Sequence, residues 1–187
     1  MRRLLLPTAV LAALVAVLVG LAGCRSTYPR REPVGERFPS VVGTALSGDA
    51  VRIPEDFAGA PVLLLVGYEQ STQFDLDRWL LGLSEAGVTV AVREVPTIPG
   101  LAPRIFSGFI DSGMRSGIPS EDWGSVVTVY GDGAEIARFL GNDVPLPGRI
   151  VLLDAEGRVA FFHDDGYSVG TLKRLRAALE ALPAAER

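Results

Sequence analysis

The sequence predicts an α/β domain whose central mixed β-sheet is flanked by helices, and three stretches carry that prediction. Pro61-Val62-Leu63-Leu64-Leu65-Val66-Gly67-Tyr68 is an unbroken apolar run, the pattern of a strand buried on both faces and therefore covered by helices. Leu76, Trp79, Leu80 and Leu83 then fall on one helical face, and Val88–Val95 alternates and branches like a second strand. Residues 61–95 thus read as a strand-helix-strand crossover between parallel strands. Arg149–Asp154 and Arg158–His163 surround Ala155-Glu156-Gly157, a tight hairpin whose antiparallel pair makes the sheet mixed.

From the N-terminus, Arg2 and Arg3 precede the apolar run Leu4–Ala22. That order keeps the start of the chain inside and sends the remainder outward. The run is long enough to span a membrane as an uncleaved anchor. Against that, Leu21-Ala22-Gly23-Cys24 resembles the lipobox of bacterial lipoproteins. The resemblance implies a signal peptide over residues 1–23, a diacylglycerol on the Cys24 thiol, and a location on the outer side of a bacterial membrane. Arg25 is not the aspartate that resembles an inner-membrane retention signal, which points to the outer membrane where the organism has one. Residues 24–37 carry charges, Pro29 and Pro33 with no apolar period, and read as an extended, lipidated tether; residues 38–187 form the domain.

Cys24 is the only cysteine in 187 residues, so neither a disulfide within the chain nor dithiol chemistry is available. A formal net charge of −4, with arginines scattered rather than striped, argues against nucleic acid as a partner.

Within the domain, Val41-Val42 and Val51-Arg52-Ile53 flank Ser47-Gly48-Asp49 as a hairpin. Ser71 or Thr72 is placed to cap the crossover helix, which Gly87 ends. Pro103 suits the first turn of a helix over Arg104–Met114, expected to break within Gly113–Pro119. Next come a short strand over Ser125–Tyr130, a turn at Gly131-Asp132-Gly133, a helix over Ala134–Leu140 and a loop over Asn142–Gly148. The last element is an amphipathic helix bearing Leu172, Leu175, Leu179 and Leu182.

This order of elements, with Phe38-Pro39 and Leu46-Ser47-Gly48 at its entry and Arg149–Val159 near its end, resembles the three-layer thioredoxin-like fold in its peroxiredoxin and membrane-tethered reductase versions. Phe38-Pro39, Ile53–Gly59, Gly113–Pro119 and Gly148–Gly157 are most similar to the mitochondrial ATP-synthase assembly factors and their bacterial relatives. That likeness implies non-catalytic help in assembling or folding a membrane complex. The resemblance also implies a cis-proline, for which Pro147 is the candidate, and a nucleophilic cysteine after the strand that ends at Gly67-Tyr68. The turn at that place reads Glu69-Gln70-Ser71-Thr72-Gln73. Thiol exchange needs a thiolate, which hydroxyls and amides do not replace. The turn is therefore a vestigial active site, and no catalytic residue, metal or cofactor is assigned.

The remaining constellations have plainer readings. Ser71 or Thr72 with the single histidine, His163, makes a poor hydroxyl-nucleophile pair. His163-Asp164-Asp165 lacks a second imidazole for a metal. Asp75 and Asp77 are spaced so that they do not face each other. Met114, Arg115 and Trp123 lie in or beside a glycine- and proline-bounded stretch and form the candidate contact with a protein partner in the cell envelope. The competing readings are a non-thiol enzyme, using polar residues at the vacated turn or His163 with Asp164 and Asp165, and a carrier of a small ligand or metal in the vacated active-site region.

Overall fold

A computed structural model describes residues 26–98 and 107–183. The leader, Cys24, Arg25, Pro103 and the expected start of the second helix lie outside the described residues. Seven strands are described: β1 (Val41–Ala45), β2 (Ala50–Ile53), β3 (Val62–Gly67), β4 (Ala91–Pro96), β5 (Val127–Thr128), β6 (Arg149–Leu153) and β7 (Val159–His163). The helices are α1 (Gln73–Glu85), α2 (Ser107–Gly117), α3 (Gly133–Leu140) and α4 (Val169–Glu180).

The strands form two ladders, β2-β1-β5 and β4-β3-β6-β7, and the parallel bridges Glu94–Val126 and Thr97–Val129 join them. Strand β3 pairs parallel with β4 and antiparallel with β6, so the sheet is mixed. Alternation along the central strands sorts the core into two halves. Val62, Leu64, Val66, Val151 and Leu153 meet Phe38, Ile136 and Leu140 on one face. Leu63, Leu65, Ile150 and Leu152 meet Leu76, Trp79, Leu83, Leu172 and Leu175 on the other. Helix α3 therefore covers one face and α1 with α4 the other, which gives three layers.

Two local expectations are corrected. The second helix ends within Gly113–Pro119 as expected, but only at Gly117, so Met114 and Arg115 lie in its last turns rather than in a loop. Arg115 holds that last turn in place, because its Nε donates to Leu46 O at 2.7 Å across the β1–β2 turn. The second correction concerns residues 26–37, which have no helix or strand of their own yet lie strapped onto the domain. Gly35 N donates to Val159 O and Val159 N to Glu36 O, Pro33 is buried, and Arg138 and Arg31 stack on Tyr28 and Phe139. Asn142 clamps the far end: its Oδ1 accepts from Tyr28 N at 2.7 Å and its Nδ2 donates to Ser26 O at 3.1 Å.

Gly141 makes the strap's close approach possible. Its φ is +77°, and a Cβ there would lie 2.7 Å from Pro29 O and 2.9 Å from Arg30 Cα. The obstructing atoms are backbone, so the strap must lift to admit a methyl group. Gly141→Ala is expected to release residues 26–31, seen as faster tryptic cleavage at Arg30 and Arg31 than in the parent protein.

Candidate functional site

Strand β3 delivers the chain through Tyr68 into the vestigial turn, where Gln70–Thr72 form a single 3-10 turn leading into α1. Thr72 does not cap that helix. Its backbone is already helical and its side chain makes no capping bond. Instead it turns inward, so that its methyl packs beside Gly67 and Gly148 and its buried Oγ1 has no hydrogen-bond partner. Gln70, Ser71 and Gln73 are exposed and Glu69 is half-buried. Gln73 Nε2 bridges two carboxylates, reaching Asp77 Oδ1 at 2.9 Å and Glu94 Oε2 at 3.0 Å.

The loop before β6 meets this turn, and the Leu146–Pro147 peptide bond is cis. Asp75, on the first turn of α1, fastens two segments at once: Oδ2 accepts from Gly148 N at 3.1 Å and Oδ1 from Tyr167 N at 2.9 Å. Gly148 presses so closely on Leu76 that there is no room for a Cβ. Behind the loop lies Arg149, only 1% exposed. Its Nη1 donates to Pro145 O at 3.2 Å and Pro147 O at 2.7 Å, and its Nη2 to Val144 O at 2.6 Å. The guanidinium stacks over Tyr68 at 4.9 Å. Burial holds its pKa below the usual arginine value, opposed by the field of Tyr68 and more distant carboxylates, yet arginine starts so high that it remains a cation. Burial pushes the Tyr68 phenol well above its ordinary value, and the nearby guanidinium only partly offsets this.

Chemically, these groups bind one another. Asp75 and Arg149 are committed to backbone partners, the hydroxyl of Thr72 is buried, and the outward face offers amide, hydroxyl and the apolar side chains of Phe74, Val144 and Leu146. Such a surface is suited to contact.

Glu94 is the titrating group beside the turn. Burial raises its pKa; Gln73 Nε2 opposes the shift, and Asp77 and Asp122 add to it. A carboxyl that holds its proton more tightly when folded loses stability on ionising, as pH rises from the unfolded value of about 4.3 through the folded one. Glu94→Gln keeps an acceptor for Gln73 and removes the titration. Thermal melts between about pH 4 and 7 should therefore show the parent protein falling relative to the variant as pH rises.

The other sequence candidates lie elsewhere. Arg115 and Trp123 meet at the end of α2, with Arg115 5.6 Å over the Trp123 ring and Trp123 Nε1 donating to Ile118 O at 2.9 Å; Met114 precedes Arg115 on the helix, and all three are half-buried. His163 pairs through Nε2 with Gly166 O at 2.8 Å, and Asp164 and Asp165 pair with Arg30 of the strap. These groups line an open cleft of about 550 Å³ with Arg174. Among the described residues no three His, Cys, Asp or Glu side chains gather as metal ligands.

Sequence reasoning missed Arg149, Asp75 and Asn142. A charged residue opening the apolar run Ile150–Leu153 was a signal for the first; an acidic residue in a helix's first turn was a weak one for the second. Nothing local marked Asn142.

Solved structures share this arrangement of elements. BsSco, a member of the Sco family of cytochrome c oxidase assembly proteins, is 12% identical, with a TM-score of 0.55 over 81% of this chain and 98% of that one. The thiol peroxidase of Chromobacterium violaceum is 13% identical, with a TM-score of 0.52 over 83% and 91%. Copper-bound ScoI of Arabidopsis thaliana is 13% identical, with a TM-score of 0.51 over 76% and 97%. The fold is thioredoxin-like, matching these neighbours over most of the chain. No protein-family model matches the sequence, and no curated protein matches it.

Proposed function

We propose that this chain is a lipid-anchored binding or assembly module of the bacterial cell envelope, built on a thioredoxin-like scaffold and working without thiol chemistry. The observation that carries the reading is the turn after β3: it offers Glu69-Gln70-Ser71-Thr72-Gln73, and the chain's single cysteine stands at position 24. A thiolate is the nucleophile in thiol exchange. The groups around the turn, Asp75 and Arg149 above all, hold loops together, which favours a binding surface over a reaction centre. Lipid on Cys24 confines the domain and its partner to one membrane and raises their effective concentration. The resemblance to ATP-synthase assembly factors favours a membrane complex as the client, with the half-buried group Met114, Arg115 and Trp123 as the contact.

The mature protein is expected to match buffer in insulin reduction and in peroxide consumption; turnover in either overturns the non-redox reading. In-cell photocrosslinking from position 115 should capture one envelope protein, and a crosslink pattern of lipid and abundant bystanders alone overturns the contact.

A further inference from the structure

We propose that the loop Asn142–Pro147 rests on the lipid bilayer, with Val144 and Leu146 entering the headgroup boundary, so that the strap fixes the orientation of the domain on its membrane. The inference rests on the lipid anchor proposed above and specifies how the domain sits on it. Asn142 holds Ser26 O at 3.1 Å and Tyr28 N at 2.7 Å, and Asp143 N and Asn142 N both donate to Tyr28 O at 3.0 Å. From Ser26 to Cys24 the chain spans at most about 7 Å when fully extended. A lipid on Cys24 therefore brings the bilayer to the side of the domain on which this loop lies, and a freely swinging tether is excluded by the clamp.

The loop is built for that position. Val144 is 55% and Leu146 41% exposed, two apolar side chains that alternate with Pro145 and Pro147 along the loop. Apolar side chains at a lipid boundary gain burial, but backbone groups carried along lose water and must already be bonded. Here the carbonyls of Val144, Pro145 and Pro147 accept from Arg149, Val144 N donates to Asp143 Oδ1 at 3.1 Å, and the prolines have no N–H. Arg149 thereby holds the loop from behind while satisfying three of the carbonyls that a membrane would strip of water. The vestigial turn, joined to the loop through Asp75 and Gly148, lies on the same side, within reach of a membrane-embedded client.

The test uses the full lipidated protein in vesicles of phosphatidylethanolamine and phosphatidylglycerol, with Val144→Cys and Leu146→Cys labelled in turn by an environment-sensitive fluorophore. Lipid on Cys24 leaves the introduced thiol as the only reactive one. Brominated acyl chains should quench both probes, with a blue shift in emission, and leave probes at Leu81→Cys and Val42→Cys unquenched. In the Asn142→Ala background, checked for folding by circular dichroism, the quenching should fall while the lipid remains. A lipidated protein whose probes at 144 and 146 are unquenched, or quenched no more than those at 81 and 42, overturns the orientation alone. Quenching that survives Asn142→Ala overturns the strap's role. An intact mass without lipid on Cys24 overturns both the anchor and this inference.

Discussion

Arg149→Ala is expected to destabilise the domain by about 3 kcal/mol or more, because it leaves the carbonyls of Val144, Pro145 and Pro147 without their donor, at about 1–3 kcal/mol for each that stays buried. The guanidinium also fills space against Tyr68, so its loss opens a cavity as well. For a domain of this size the melting temperature should fall by about 6–12 °C. Arg149→Met separates the two contributions: it restores volume without donors. If the carbonyl bonds are what order the loop, Arg149→Met recovers part of the stability yet still shows accelerated hydrogen exchange at Val144 and Leu146. If volume alone matters, exchange there returns to the parent rate. Arg149→Lys should fall between, since one ammonium cannot fork to three carbonyls and stack on a ring at once.

Trp79→Ala is expected to cost about 3–5 kcal/mol, the range for emptying a large aromatic site in a core. Trp79 is 0% exposed, and its ring meets Tyr167 edge-on at 5.3 Å and His163 at 5.9 Å. It thus joins α1, the stretch before α4 and the end of β7. Its Nε1 is buried without a hydrogen-bond partner, so the indole carries a desolvation penalty that phenylalanine does not. Trp79→Phe should therefore cost clearly less than its volume change implies, and denaturant melts of the two variants side by side measure the difference.

The crossover and the final hairpin are legible in the sequence because their signals are local: a branched run for β3, a leucine stripe for α1, a glycine turn between β6 and β7. The mixed sheet is a consequence of those three. Less of the site can be read. The turn Glu69–Gln73 is located by its place after β3, yet Thr72 reads as a cap, because sequence does not say whether a hydroxyl at a helix start bonds backwards or turns into the core. The strap reads as an extended tether for a related reason. A segment with no apolar period looks unstructured, although its partners, Asn142, Val159 and Asp164, stand more than a hundred residues away. Arg115 looks like a loop residue because glycines and a proline surround it; its bond to Leu46 O keeps that turn helical.

By itself the sequence determined the layer order, the absence of a thiol from the domain, and the charge-then-apolar run ending at Cys24 on which the proposed anchor rests, since each depends on which residue types occur and at what spacing. Tertiary structure alone decided which polar groups are tied off and which face outward. Asp75, Asn142 and Arg149 bond to backbone atoms, which every residue carries and no side-chain pattern reveals, so their roles emerge only when the folded chain brings those atoms within about 3 Å.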